Sequence, residues 1–267
     1  MRTYDEYKRI LMLWEEGLNK SEIERRTGIP RPTIRDCINK YGSFDQLIEY
    51  IAQHEQPLLL KILTGEIEDD YQTTLIAYSY FLGLYLGDGN IVKTRKIYRL
   101  RVTLDAKYPG IINSCMQAGK MLLPNNQVGL VKRLHEGRLS CVDVSLYHKD
   151  LPLFFPQHGS GDKYTRKIIL DGWQQRIVDT YPLEFFRGLY HSDGCRHRNI
   201  VNGKDYPRYE FTNRSNDIFQ LFCDTCDKLG IHWTAKTRPC GDGRTNDALI
   251  SKRKDVEILD RLIGAKT

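Results

Sequence analysis

Two nine-residue segments of this chain resemble each other, and that duplication limits the folds open to it. The first runs Phe81-Leu82-Gly83-Leu84-Tyr85-Leu86-Gly87-Asp88-Gly89 and the second Phe186-Arg187-Gly188-Leu189-Tyr190-His191-Ser192-Asp193-Gly194. Each reads as the last turns of a mostly apolar helix with an acid at its C-terminal end. Small residues recur four positions apart, at Gly83 and Gly87 and at Gly188 and Ser192. That spacing puts them on one helix face, where two backbones can approach closely. Glycine inside a helix costs roughly 0.5–1 kcal/mol relative to alanine, so it needs a packing reason. If the helices pack through these faces, Asp88 and Asp193 end side by side. Two acids at two helix C-termini are doubly unfavourable, because the macrodipole is negative there and the charges repel. A bound divalent cation would resolve the conflict.

The duplication extends past the motifs. After Asp88, Tyr98–Leu104 alternates, with Leu100, Val102 and Leu104 on one side and Arg99, Arg101 and Thr103 on the other. A helix over 111–123 follows, then a hairpin of 128–134 and 139–146, then a short helix near 149–155. After Asp193 the same order returns: a strand over 206–212, a helix over 217–229, a hairpin of 231–238 and 246–251, and a helix over 255–263. The expected unit is αββαββα, twice, an α+β architecture.

The paired segments resemble the LAGLIDADG motif of the homing endonuclease (meganuclease) family, in the type that carries two motifs in one chain. The central Gly, the next Leu and the terminal Asp-Gly stand in both copies; Leu86 and His191 replace the first acid of the family pattern. The resemblance implies a saddle whose two four-stranded sheets lie over double-stranded DNA. It implies Asp88 and Asp193 as catalytic metal ligands, joined by Gly87 and Ser192. The metal would be Mg²⁺ or Mn²⁺, with Ca²⁺ binding without cleavage. The family also places lysines or polar groups near the metals. Aligning the halves offers Lys149 and Lys254, with Lys252 nearby, and Asn213, opposite which the first half has Leu104. Strand residues Arg99, Arg101, Thr103, Lys132, Arg133, Arg196, Arg198, Arg208, Lys236, Arg238 and Arg244 become candidates for DNA contact, since arginine can pair with guanine edges and strands can enter a major groove.

Ahead of the repeats the chain reads as three short helices. Ser21-Glu22-Ile23-Glu24 suggests a capping box. Gly28 closes the second helix, and Pro30 and Pro32 open the third. This segment resembles the helix-turn-helix of resolvases and invertases, which would offer Arg31, Thr33, Arg35 and Asn39 to DNA. Glu24 stands where that motif prefers a small residue. Residues 41–70 carry seven acids and one lysine, which suits a helical spacer that avoids DNA. The expected division is therefore 1–42 as a DNA-binding domain, 43–70 as a linker, and repeats over 71–158 and 159–267. Residues 1–70 carry 10 basic and 14 acidic side chains, whereas the rest carries 30 and 20. The basic surplus on the repeats fits a polyanion partner.

Seven scattered cysteines, an odd number, argue for reduced thiols. Cys223 and Cys226, with His232 and Cys240 beyond, fit no standard zinc finger and are expected as buried thiols beside Phe219 and Phe222. Tyr85, Trp173 and Tyr190 are expected in the core. No apolar run approaches the length of a membrane span. The sequence thus predicts a monomeric, cytoplasmic, nucleoid-associated and metal-dependent endonuclease with a long asymmetric DNA target. A second reading is a DNA-binding regulator that keeps the fold without cleavage, as in sporulation regulators that pair it with a helix-turn-helix. Such regulators commonly lose the acids that this chain keeps.

Overall fold

The computed structural model describes residues 4–53, 72–95, 97–240, 243–263 and 266. They fall into two compact units, the N-terminal helices with residues 152–156, and residues 72–151 with 157 onward.

The first unit holds α1 (Tyr4–Glu15), α2 (Lys20–Thr27), α3 (Arg31–Tyr41) and α4 (Phe44–Gln53). Ile10, Leu11, Ile23, Ile34, Cys37 and Leu47 bury its centre. The expected capping box is displaced by two residues. Asn19 caps α2, accepting from Ser21 N and Glu22 N, while the Glu22 carboxylate accepts from Asn19 N. Ser21 already lies inside the first turn. Glu24 is left free to accept from Arg31 N at 3.2 Å, so a carboxylate from α2 satisfies an orphan donor at the start of α3. Gly28 turns between them with φ of +69°, a left-handed conformation that favours glycine. The expected linker is described only as far as α4; residues 54–71 lie outside the described residues.

The second unit is α+β and duplicated. Its first half runs α5 (Gln72–Asp88), β1 (Gly89–Lys93), β2 (Tyr98–Asp105), α6 (Pro109–Leu122), β3 (Gly129–His135) and β4 (Arg138–His148), and the chain then makes a single turn, Leu151–Phe154, of which only Leu151 falls in this unit. After α7 (Gly172–Thr180) the second half runs α8 (Pro182–Asp193), β5 (Gly194–His197), β6 (Ile200–Val201), β7 (Lys204–Asp205), β8 (Arg208–Asn213), α9 (Asn216–Lys228), β9 (Thr234–Cys240), β10 (Gly243–Ile250) and α10 (Arg253–Leu262). The sheets have equivalent antiparallel orders, β1-β2-β4-β3 and β5-β8-β10-β9.

Among the described residues the β6–β7 ribbon has no counterpart in the first half. It turns at Asn202-Gly203, both at positive φ, and Asn-Gly is the strongest short signal for such a turn. Helix α7 leads directly into α8. Its Asp171 and Gln174 form a capping box. Between β3 and β4, Glu136 and Gly137 both take positive φ, so that turn has two residues, not four.

Strand register relates the two halves position by position. Gly89 pairs with Val102, and Gly194 with Phe211. Val102 and Phe211 are therefore equivalent, and so are Arg99 and Arg208, Thr103 and Thr212, and Leu104 and Asn213. One face of each sheet is covered by helices. There Leu100, Val102, Leu104, Val142, Val144 and Leu146 are buried, as are Tyr209, Phe211, Ala248 and Ile250 in the second half. The opposite face carries the polar alternates of the same strands.

Candidate active site

Helices α5 and α8 cross where their glycines meet. A Cβ added to Gly83 would lie 2.6 Å from Leu189 N and 2.7 Å from Phe185 O. One added to Gly188 would run into Tyr80 O. One added to Gly87 would lie 2.5 Å from Asp193 Oδ2. The glycines thus permit a backbone-to-backbone approach, and that approach brings the Asp193 carboxylate beside the end of α5.

Both carboxylates are pressed toward their protonated forms. Burial, and then the charge of Asp193, push Asp88 up to about 7. Burial also raises Asp193, against the opposing charge of Lys163 and a hydrogen bond from Asn213. Both acids line a polar cavity of about 430 Å³ with Lys163, Asn213 and Arg214. Asp88 also borders a second cavity with Lys107, His191, Cys195 and Lys266.

Two lysines occupy the helix ends. Lys163 Nζ donates to the carbonyls of Tyr85, Gly87 and Gly89 at 2.6, 3.1 and 2.6 Å. Lys266 Nζ donates to those of His191 and Ser192 at 2.8 and 3.2 Å. Ammonium groups there satisfy carbonyls that a helix leaves unpaired and oppose the negative end of its dipole. Burial lowers Lys163 to about 8, against the pull of Asp193 and Asp88. The loop that carries it is fixed by Arg166, which donates to the carbonyls of Gln157, Gly159, Ser160 and Gly161.

These are not the lysines that aligning the halves selects. Lys149 is exposed beyond β4, and Lys252 and Lys254 are exposed at the start of α10. The charges that act on the carboxylates are Lys163 and Lys266. A sequence signal for them exists. Lys163 follows its motif acid Asp88 by 75 residues, and Lys266 follows Asp193 by 73.

The two acids have unequal surroundings. Asn213 Nδ2 donates to Asp193 Oδ2 at 3.0 Å, while Asn213 Oδ1 accepts from Ser215 N at 2.8 Å and is thereby oriented. The equivalent Leu104 is buried and offers Asp88 no such donor. His191 lies 2.9 Å from the Tyr80 hydroxyl. Burial, then Arg187 and Lys266, depress it to about 3, so it is a neutral group holding the helix pair.

The uncovered sheet faces carry a duplicated polar triad. Thr103 Oγ1 donates to Asp143 at 2.8 Å, and Arg133 Nε does the same at 2.8 Å; Arg101 Nη1 stands 3.9 Å away. In the second half Thr212 Oγ1 donates to Asp247 at 2.8 Å and Arg238 Nε at 2.6 Å. Asp143 and Asp247 are buried beneath these partners. Arg99 and Arg208, equivalent in the two halves, both have a buried Nε with no acceptor. Lys236 alternates onto the same face, opposite Asp247.

Four expected sheet contacts belong elsewhere. Arg196 pairs with Tyr209 on the helix-covered face and binds Asp260 of α10 through two hydrogen bonds, at 2.6 and 2.8 Å. Lys132 pairs with Val142, and Arg244 alternates with Thr245, so both point to the helix side of their strands. Arg198 lies beyond β5 and pairs with Asp205 of the ribbon at 2.8 Å. Strict alternation fixes the first three, and a one-residue error in strand register reverses each. In α3, Arg31 and Arg35 are exposed and paired with Glu24 and Asp36, Asn39 is exposed and Thr33 half-buried. Tyr85, Trp173 and Tyr190 lie in the core, and Cys223 and Cys226 are fully buried.

The donor set suits a divalent cation of the magnesium class. Two carboxylates and the Gly87 and Ser192 carbonyls offer only oxygen, the ligand that Mg²⁺, Mn²⁺ and Ca²⁺ prefer. An Asp88 pushed to about 7 by burial and by its neighbour is a charge conflict that such an ion would remove.

Residues 180–264 match the family model described as a LAGLIDADG-like domain. No curated protein matches the chain. Among solved structures, mesophilic variants from the homing endonuclease I-DmoI align at 14% identity and a TM-score of 0.49, covering 72% of this chain and 97% of that one. I-DmoI in complex with DNA and Mn aligns at 16% and 0.49, covering 73% and 99%. Full-length DUF199/WhiA from Thermatoga maritima aligns at 14% and 0.46, covering 73% and 57%.

Proposed function

We propose that this protein is a divalent-metal-dependent DNA endonuclease of the LAGLIDADG type. The observation that carries the proposal is the convergence of two half-buried acids, Asp88 and Asp193, at a close helix crossing that only glycine permits. A structural role alone gives no reason to place two half-buried like charges at two helix C-termini. Asp88, Asp193 and the carbonyls of Gly87 and Ser192 would hold the ion. When bound, it would supply an activated water and neutralise charge on the scissile phosphate.

The chain's own groups would do the rest. Asn213 fixes the orientation of Asp193. Lys163 and Lys266 bring positive charge to where phosphate oxygens would lie. Arg99, Arg101, Arg133, Arg208, Lys236 and Arg238 would face the duplex from the two sheets. One chain supplies both acids, so a monomer suffices and its target can be asymmetric. Helices α2 and α3, joined through Gly28, would act as a helix-turn-helix that presents Arg31, Thr33, Arg35 and Asn39 to DNA.

A non-cleaving regulator is the second reading, and one observation favours it. The Gly87 and Ser192 carbonyls already accept from lysine ammonium groups, which can stand in for a cation. Incubation with a randomised duplex library and Mg²⁺, with ligation capture of new ends, separates the readings. Nuclease action yields recurrent ends that vanish with Asp88→Asn and with Asp193→Asn. Selective DNA binding without new ends, in Mg²⁺ and in Mn²⁺, assigns the chain to the regulators.

A further inference from the structure

Strand β5 is only four residues long, Gly194–His197, and lies at the edge of its sheet, paired only with β8. On the uncovered face its alternation places the exposed Cys195 and the half-buried His197 together. Glu210 lies directly across the ladder from Cys195. The Cys195 Sγ, a His197 ring nitrogen and a Glu210 carboxylate oxygen all lie within 4.8 Å of one another. Among the described residues no other group of three such side chains gathers this way.

The separations point to an ion. His197 Nδ1 lies 3.7 Å from Cys195 Sγ and 3.7 Å from Glu210 Oε2. The nitrogen-to-oxygen distance is too long for a hydrogen bond. A tetrahedral zinc site, with bonds of about 2.3 Å to sulfur and about 2.0–2.1 Å to nitrogen or oxygen, sets its ligand atoms about 3.3–3.6 Å apart. The two separations from His197 need only a small contraction, and the Cys195–Glu210 separation lies within 4.8 Å. The backbone already fixes two ligands at positions i and i+2 and the third across a ladder rung. The duplicated fold alone does not produce the cluster. Asn90 is the first-half equivalent of Cys195 by register, Val92 of His197 and Arg101 of Glu210, and none of these is a comparable ligand.

We propose that Cys195, His197 and Glu210 form a second metal site, with one thiolate, one imidazole and one carboxylate ligand and a fourth position open to water. Its ligand chemistry differs from that of the aspartate pair. Thiolate and imidazole select zinc and related borderline-soft ions, whereas all-oxygen donors select magnesium, calcium and manganese. An ion here would cross-link the short edge strand to β8. Because Cys195 also borders the cavity that contains Asp88 and Lys266, it would fix one wall of that cavity.

The test uses the full chain carrying Asp88→Asn and Asp193→Asn, so that the aspartate pair cannot supply the signal. The chain is stripped of metal, reduced and titrated with Co²⁺, then with Zn²⁺. One equivalent of Co²⁺ should give the ultraviolet charge-transfer band of a cobalt–thiolate bond and the intense visible bands of a tetrahedral ion. Zn²⁺ should displace it and raise the melting temperature. Cys195→Ser should abolish the charge-transfer band, and His197→Ala or Glu210→Gln should weaken Co²⁺ binding at least tenfold. Cys223→Ser should leave the signal intact. No charge-transfer band, or a band that survives Cys195→Ser, overturns the site while leaving the endonuclease reading untouched.

Discussion

Lys163 and Lys266 occupy matching places in the two repeats. Each lies 73–75 residues after the motif acid of its own half and donates to the carbonyls at the end of its own motif helix. The duplication therefore includes a cation at each helix end as well as the acid. Each ammonium stands on a carbonyl that would otherwise be open to a divalent ion. Lys163→Met should consequently tighten Ca²⁺ binding several-fold in calorimetry, because a competing buried charge is gone. It should also slow DNA cleavage at least about tenfold, as removal of a positioned cation near a reacting phosphate does. Calcium affinity that is unchanged or weaker would show that the ammonium does not compete with the ion.

The Asp88 shift sets the sign of a pH effect on the metal-free protein. Its folded value, about 7, lies above the ordinary carboxylate value of 3.8. Stability from this group is thus full below about pH 4 and is lost as pH rises toward 7, where the half-buried acid ionises beside Asp193. In EDTA the melting temperature should fall across that window, and Asp88→Asn should flatten the fall. Saturating Mg²⁺ should reverse the trend, since the ion binds the ionised pair. A wild-type curve in EDTA that matches that of Asp88→Asn would mean that neither burial nor the charge of Asp193 raises Asp88.

At the helix crossing, Gly83 and Gly188 oppose the usual ranking of residues. Alanine in place of glycine inside a helix normally stabilises by roughly 0.5–1 kcal/mol. Here the added methyl meets backbone atoms of the partner helix, which cannot rotate away. Gly188→Ala should destabilise by roughly 1–3 kcal/mol, the cost of overpacking. Urea unfolding reads this directly. A stability gain in both Gly83→Ala and Gly188→Ala would show that the helices stand farther apart.

The repeat is readable from sequence because its signal is local. Glycines four apart and a terminal acid record the helix crossing within nine residues, and Leu100, Val102 and Leu104 record which strand face is covered. What sequence does not reveal depends on distant pairing. A shared Lys-Asp dipeptide aligns Lys149 with Lys254, yet the lysines at the site lie on the loop after the last helix of each repeat. The side on which Arg196 projects depends on where β5 begins, and a strand of four residues gives alternation little length to register. The Thr–Asp–Arg triads join residues nine to forty positions apart, and only the ladder brings them together. The β6–β7 ribbon is legible from Asn202-Gly203, but matching the second half to the first hides it.

Those triads lead to an effect opposite in sign to the removal of a favourable ion pair. Asp143 and Asp247 hold Arg133 and Arg238 against the uncovered sheet faces and neutralise them. Asp247→Asn should free the charge of Arg238. Non-specific DNA affinity should then rise, and the salt dependence of binding should steepen by about one unit of log–log slope if the released arginine reaches a phosphate. Discrimination between a selected site and random duplex should shrink. Titrations at two salt concentrations check this, and an unchanged slope would place that face away from DNA.

The N-terminal helices offer the last separable test. Arg31 and Arg35 are exposed on α3, and their ion pairs with Glu24 and Asp36 are surface pairs worth at most about 1 kcal/mol. DNA phosphates could therefore replace those acids at little cost. Arg31→Ala with Arg35→Ala in the full chain should shorten the footprint on a selected target and weaken binding. It should flatten the salt dependence by about one unit for each phosphate that an arginine no longer neutralises. Metal-dependent cleavage at saturating protein should persist, because the acids reside in the other unit. The melting profile should change little, since neither side chain is buried. If footprint, affinity and salt slope all match those of the wild type, α2 and α3 do not read DNA. The Asn19–Glu22 box and the Gly28 turn would then serve a helical module with some other partner.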